Sequence, residues 1–450
     1  MDSLALILAA GKGTRLQLDG PKVMQLLLDR PLLWYVFRSL RPVFGDNIFC
    51  VVGYGREEVE TYFTDFYNFV YQQEQRGTGH AVQCAWEQIE SSGAEFVVVC
   101  NGDTPLVPSS YFQDLLQEVQ KNNLDVAFLS IELPDPGNYG RVIRDKSGNV
   151  CRIVEAKDLN EGVESKEVNA GVYCFRTVFF KKYLFELKDS NRQQEYYITD
   201  LIELAINNGL KVRAINKGYA EELLGINTVK ELVRQEELVR KQIVDRFLTQ
   251  GVLIRFPQSV AIGPEVEIEP GVKIQGPTKI YGQSSLYRGA EIGSYTYISD
   301  AQIWGRVHEF SHIVGSVIKT GAQVGPYARL RPGTVIEHKA RVGNFVEVKK
   351  TVLGKNSKAN HLTYLGDSEI GEGVNIGAGT ITCNYDGKKK YKTTIEDMAF
   401  IGSNTALVAP VSIGKRALIG AGSTITKDVP EGHLAIARAK QFVTKRGLKK

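Results

Sequence analysis

The residues able to do chemistry fall into short strings separated along the chain. An apolar run at residues 4–8 leads straight into Ala9-Ala10-Gly11-Lys12-Gly13-Thr14-Arg15, with Pro21-Lys22 shortly behind. Small residues in such a turn let backbone N–H groups face a triphosphate, and Lys12, Arg15 and Lys22 supply positive charge. The string is not a Walker A loop, whose spacing is missing, nor a dinucleotide fingerprint, because Leu16 stands where the third Gly belongs. Further on, Gln72 precedes Gly77-Thr78. Its amide both donates and accepts, which suits the edge of a pyrimidine while Gly77 and Thr78 let backbone approach the base. Asn101-Gly102-Asp103 follows the apolar run 96–100. Open α/β sheets bind ligands at that end of a strand, and a carboxylate there suits Mg2+ beside substrate phosphates. In the second half His361, one of six His, sits in Ala359-Asn360-His361-Leu362-Thr363-Tyr364-Leu365-Gly366, and a Lys cluster follows Asn384-Tyr385-Asp386-Gly387.

The elements that must hold these strings differ between the halves. Apolar runs at 4–8, 48–52, 96–100 and 126–131 alternate with helical patterns such as 111–120, which predicts an α/β core with a mainly parallel sheet. Thr228 and Glu231 make a capping box, and Val229, Leu232, Val233, Val239, Ile243, Val244 and Phe247 form a helical stripe ending before Gly251. One linking helix is therefore expected over 228–250. A six-residue period then takes over. Ile262, Ile268, Ile274, Ile280, Leu286, Ile292 and Ile298 recur without a gap. After a phase slip the ladder resumes at Ile318, Val324, Leu330, Ile336, Val342 and Val348, touches Ile370 and Ile376, and closes with Ile395, Ile401, Leu407, Ile413, Ile419 and Ile425. Neither a helix nor a lone strand needs such a period. A coil with three short flat faces does, its aliphatic side chains stacked inward and Gly near its corners. The break at 382–394 predicts a loop thrown out from that coil.

With 24% charged and 43% hydrophobic residues, the 450-residue chain lies far from the composition of disordered proteins. Its net charge of +4 conceals −7 over residues 1–250 and +11 over residues 251–450. No Lys/Arg run is interleaved with aromatics, so the basic half is expected to meet phosphorylated small molecules and no nucleic acid. Six dispersed Cys without a C-x-x-C read as buried, reduced thiols. Met1-Asp2-Ser3 lacks the positive start of a signal peptide, and no run approaches the ~20 apolar residues of a membrane span, so a cytoplasmic chain with no membrane partner is expected.

The string L-A-A-G-x-G-T-R-L with P-K behind it resembles the sugar-nucleotidyltransferase (nucleotide-sugar pyrophosphorylase) family. The ladder resembles the hexapeptide-repeat left-handed β-helix, whose handedness follows from the likeness and not from the spacing. Tyr139-Gly140-Arg141, Val154-Glu155-Ala156-Lys157-Asp158, Val168-Asn169-Ala170-Gly171, Glu195-Tyr196-Tyr197-Ile198-Thr199-Asp200 and Gly225-Ile226-Asn227 occur in the order seen in the family of bifunctional enzymes that make UDP-N-acetylglucosamine. Arg329-Leu330-Arg331-Pro332-Gly333, Gly343-Asn344-Phe345-Val346-Glu347-Val348-Lys349-Lys350, Asn375-Ile376-Gly377-Ala378-Gly379 and Asn384-Tyr385-Asp386-Gly387 match its acetyltransferase half nearly letter for letter. Asn101, where relatives carry Tyr, and Leu224, where Glu is common, depart from the pattern.

This resemblance implies a Rossmann-like α/β nucleotidyltransferase domain over 1–227, a linker helix over 228–250, and a left-handed parallel β-helix with a basic tail over 251–450. It implies acetyl transfer from acetyl-CoA to glucosamine-1-phosphate, then uridylyl transfer from UTP with release of pyrophosphate, supplying a precursor of peptidoglycan and lipopolysaccharide. Leu8, Ala9, Ala10, Gly11, Lys22, Gln72, Gly77, Thr78, Asn101, Gly102 and Asp103 would line the nucleotide; Gly140, Glu155 and Asn169 would hold the sugar phosphate; Asp103 and Asn227 would hold Mg2+. The attacking sugar phosphate is already an anion, so positioning and neutralisation by Arg15 and Lys22 suffice. Acetyl transfer needs the substrate ammonium deprotonated, and His, with its ordinary pKa of ~6.5, suits that task. His361 is the expected base. Arg331, Lys349, Tyr364, Asn375 and Lys390 would hold the sugar phosphate of this second site, and Ala378, Asn384, Tyr385, Ser403, Ala421 and Arg438 the acetyl-CoA, with Lys445, Arg446, Lys449 and Lys450 toward its phosphates. A homotrimer with shared acetyltransferase sites is implied as well. Two other readings compete: a regulatory subunit, disfavoured by Lys22, Asp103, Asn227 and His361, and a pyrophosphorylase whose coil serves only assembly, disfavoured by His361, Tyr364 and the Asn384 loop.

Overall fold

The computed structural model describes residues 3–66, 68–159 and 165–446; the expectation for Lys449 and Lys450 lies outside these residues. The chain divides into two compact units, Met1–Glu236 and Glu237–Lys450.

In the first unit β1 (Ser3–Ala9), β2 (Ile48–Val52), β3 (Phe69–Tyr71), β4 (Phe96–Asn101), β5 (Val126–Glu132), the hairpin strands β6 (Arg141–Arg144) and β7 (Val150–Val154), β8 (Glu167–Arg176) and β9 (Val212–Asn216) form one sheet. Its main path runs β9-β5-β8-β4-β1-β2-β3. Neighbours are parallel except where β8 slots in antiparallel between β4 and β5. Alternation along β1 explains why both faces are covered: Ala5, Ile7 and Ala9 enter one buried cluster and Leu4 and Leu6 the other. The register of β8 slips between Asn169 and Tyr173, with Gly171 at φ 72° inside the slip and packed against Asn101. The helix Val229–Thr249 starts at its capping box: Thr228 Oγ1 accepts from the Glu231 N–H at 3.3 Å, and Glu231 Oε2 accepts from Thr228 N–H at 2.8 Å. Its apolar stripe is buried only from Val239 onward. Val229 and Val233 are exposed, because the first turns bury Gln235 instead, its amide donating to the Glu221 carbonyl.

The second unit is a left-handed parallel β-helix of short strands in a 19-stranded and a 9-stranded sheet. Inward residues stack coil on coil: Ile262 on Ile280, Ile298, Ile313, Leu330, Val348 and Leu365, all essentially without solvent exposure. The phase slip is two shortened coils. Ile303, Val307 and Ile313 hold the inward positions there, so residues are dropped at the corners while the hydrophobic column stays intact. Likewise Ile370 pairs with Ile395 across the extruded loop. Glycines in the ladder answer a lack of room more than a demand for left-handed φ. A Cβ on Gly343 would lie 2.0 Å from the Asn360 carbonyl oxygen of the next coil, and one on Gly402 2.5 Å from the Ala421 nitrogen. Left-handed corners fall to residues such as Phe345, Leu362 and Asn404.

Among the described residues no helix is long and apolar enough to cross a membrane. Cys50, Cys100 and Cys174 are buried as expected, whereas Cys84, Cys151 and Cys383 are partly exposed; all six are free thiols.

Candidate active sites

The ends of β1 and β4 bring the N-terminal strings together. Gly102 N–H donates to the Leu8 carbonyl at 2.9 Å, which locks the two turns side by side. The turn after β1 needs Gly13, at φ 64° with Lys22 packed against it. Lys22 is buried, and its Nζ contacts Asp103 Oδ2 and lies 2.8 Å from Asn227 Oδ1. Arg15 Nη2 donates to the same Asn227 oxygen at 2.6 Å. Four residues from three distant strings thus meet at one point. Asn227 is held there because its N–H, with that of Thr228, donates to Glu231, and Asp103 because its carbonyl accepts from Ile226 N–H. Lys12 lies apart from this group, over the Tyr54 ring.

A second, acidic pocket adjoins the β6–β8 region. Glu155 accepts from the Thr199 hydroxyl at 2.9 Å and lies beside Gly140, where a Cβ would come within 3.4 Å of its carboxylate. Burial pushes the Glu155 carboxyl above its ordinary value, against the Thr199 hydrogen bond. Burial, with repulsion from Glu155, Glu203 and Asp158, raises Asp200 to about 6. Asn169 donates to the Tyr173 hydroxyl at 2.5 Å and accepts from Gly171 N–H. Asn101, the departure from the family pattern, fills the space over Gly171 that a Cβ would occupy. Leu224 packs on the hydrophobic core. Thr199, Asp200 and Glu231 are contributors that motif reading passed over as site residues, although each stood inside a quoted string or a capping box.

In the second unit β10 (Arg341–Lys349) and β11 (Lys358–Gly366) continue through a corner as nine-residue strands. Two residues past the stacked Val342, Ala359, Ile376, Ile401 and Ile419 come Asn344, His361, Ala378, Ser403 and Ala421, so these five occupy equivalent places on successive coils. Arg438 closes the column, donating to the Ala421 carbonyl at 2.7 Å. Above His361 the column is small and solvent-facing, a strip along which an extended molecule can lie. Lys349 and Lys390 come together although 41 positions apart in the sequence. Lys390, with Arg331 adding to the effect, holds the Lys349 ammonium below its ordinary value, while Asp367 opposes them. The extruded loop delivers Lys390 as a small hairpin, with Asp386 accepting from the N–H groups of Lys388 and Lys389. Arg331 is braced by Glu347 at 3.0 Å. Gly366 leaves room for the Tyr364 hydroxyl and the Asn384 amide, which a Cβ would meet at 2.5 and 2.8 Å. Asn375 lies on the coil above Lys358. Tyr385 donates to the Gly387 carbonyl within the loop, and Lys445 and Arg446 are exposed.

Residues 5–143 match a family model described as a MobA-like NTP transferase domain, and residues 392–427 one described as bacterial transferase hexapeptide (six repeats). Relatives bearing the name "Bifunctional protein GlmU" align over almost the whole chain. Those of Oleidesulfovibrio alaskensis and Nitratidesulfovibrio vulgaris (Miyazaki F) are 50% and 51% identical over 443 residues, covering 97% of this chain and 96% and 97% of theirs. That of Lawsonia intracellularis is 46% identical over 448 residues, covering 98% and 97%. The chain belongs to the bifunctional GlmU family.

Both units share in the GlmU likeness, because matches of this length run through the α/β sheet and the coil alike. Two of the expected site residues in this GlmU-family chain are hydrogen-bonded within the protein. Gln72 is buried, its amide nitrogen donating to the Gly77 carbonyl at 3.1 Å and lying 3.0 Å from His80 Nδ1, so it braces the Gly77-Thr78 turn. Thr78 itself accepts from Ile198 N–H. Asn384 is likewise buried and donates to Asp367.

Proposed function

We propose that the chain acetylates glucosamine-1-phosphate in the coil and transfers uridylyl from UTP to N-acetylglucosamine-1-phosphate in the α/β unit. The column above His361 carries this reading. A coil that served assembly alone would have no reason to set an imidazole at the foot of a strip of Ala378, Ser403 and Ala421, capped by Arg438.

In the first reaction His361 takes a proton from the substrate ammonium. The amine nitrogen then attacks the thioester carbonyl, the C–N bond forms, the C–S bond breaks, and CoA leaves as the thiol after taking up a proton. Lys349, Lys390 and Arg331 hold the sugar phosphate, whose dianion relieves the repulsion that lowers Lys349. Tyr364 and Asn375 serve the sugar, and acetyl-CoA runs along Ala378, Asn384, Tyr385, Ser403, Ala421 and Arg438.

In the second reaction a sugar-phosphate oxygen attacks the α-phosphorus of UTP as the bond to pyrophosphate breaks. No base is required; Lys22 and Arg15 offset the charge of the phosphates. Asp103 and Asn227 fit Mg2+, since two hard oxygens already converge on one cationic atom, Lys22 Nζ. When bound, Mg2+ neutralises phosphate charge. Glu155 and Asn169 face the sugar, the acidic pocket accepting from its hydroxyls. The protein works in the cytoplasm as a homotrimer, its partners the small-molecule substrates.

Paired variants test the assignment. Lys22→Ala is expected to cut pyrophosphate release by about 100-fold or more and leave acetyl transfer intact. His361→Ala is expected to do the reverse, by ~10²- to 10⁴-fold. Variants that silence both reactions, or neither, contradict it.

A further inference from the structure

β10 and β11 pair in parallel through a corner, and their register sets Asn344 opposite His361. Each is followed by a left-handed residue, Phe345 at φ 57° and Leu362 at φ 48°, so the two coils turn at the same place and the side chains leave it side by side. Asn344 Oδ1 lies 2.7 Å from His361 Nδ1. An amide oxygen accepts and never donates, so Nδ1 carries the proton of the neutral ring and the lone pair sits on Nε2. Once the ring is protonated at Nε2, the Nδ1–H···O bond persists, so proton uptake requires no rearrangement beneath it. The opposite amide orientation would present Nδ2–H to a bare Nδ1 and leave Nε2 protonated, a ring with nothing to accept a substrate proton. We infer that Asn344 is a positioning residue that fixes His361 in the tautomer able to act as base at Nε2. This rests on the reading of His361 as the base of acetyl transfer.

The test uses the full chain labelled with 15N-histidine, with His361→Ala to assign the resonance. Long-range 15N–1H spectra are expected to show wild-type His361 protonated at Nδ1 alone. In Asn344→Ala the population moves toward the Nε2–H form. Its kcat for acetyl transfer falls about 10- to 100-fold, within what a general base contributes, while both KM values change by less than about two-fold and uridylyl transfer is unchanged. Asn344→Asp, which keeps an acceptor oxygen in place, restores the tautomer and most of kcat. The inference is overturned if wild-type His361 carries its proton on Nε2, or if Asn344→Ala alters neither tautomer nor kcat while His361→Ala is inactive. A His361→Ala protein that acetylates at the wild-type rate removes the base assignment itself.

Discussion

In the proposed sugar-phosphate site, Lys349 and Lys390 set two positive charges side by side. Their mutual repulsion, strengthened by Arg331 and only partly opposed by Asp367, is a standing cost that an anion removes. Lys390→Ala is therefore expected to raise KM for glucosamine-1-phosphate on the order of ten-fold, with kcat nearly unchanged, in steady-state assays over a range of sugar phosphate. Asp200 presents the opposite sign of charge. Its folded value of about 6 lies above the ordinary carboxyl range, so folding favours the protonated form. That contribution is complete below about pH 4, is lost as pH rises through about 6, and changes no further above it. Asp200→Asn should thus be more stable than the parent at pH 7.5 by ~1–2 kcal/mol, discounted for partial exposure, with the gap closing toward pH 5. Urea unfolding at the two pH values checks this; equal stability at both would contradict the account. Lys22, Asp103, Asn227 and His361 were all legible in the sequence as residue types in family order. Their braces were not: Glu231 under Asn227, Thr199 against Glu155, and Asp367 against Asn384 are contacts that exist only once distant strings meet.

Elements were legible in proportion to how strictly their period is enforced. The six-residue ladder is read without structure because one inward position on each face recurs as an aliphatic residue stacked on its neighbours, and Ile303 and Val307 keep that column through the slip. In the α/β sheet the long buried runs were visible, but β3, the β6–β7 hairpin and the antiparallel β8 were not. β8 in particular carries Asn169-Ala170-Gly171, a bulge that breaks its alternation. The stripe of the linking helix misled at its start, since Gln235 and not Val233 faces inward. Gly343 offers a sharp test at this scale. Its Cβ would strike a backbone oxygen at 2.0 Å, which no side-chain rotation relieves. Gly343→Ala is expected to destabilise the protein by about 2–4 kcal/mol in thermal or denaturant unfolding. Because Asn344 follows it directly, acetyl transfer should suffer and uridylyl transfer should not.

At the scale of the whole molecule, the net charge of +4 describes neither unit. The acidic half holds Glu155 and Asp200, whose carboxyls burial raises, and the basic half brings Lys349 and Lys390 together. The 450 residues form only two compact units, because a coil grows by adding turns and not cores. Both proposed reactions run in sequence on one chain. Purified protein given glucosamine-1-phosphate, acetyl-CoA, UTP and Mg2+, with one component omitted at a time, tests it most directly. Free thiol is expected without UTP, pyrophosphate only when acetyl-CoA is also present, and UDP-N-acetylglucosamine from the complete mixture. Thiol without UDP-sugar in the complete mixture, or pyrophosphate without acetyl-CoA, would contradict it.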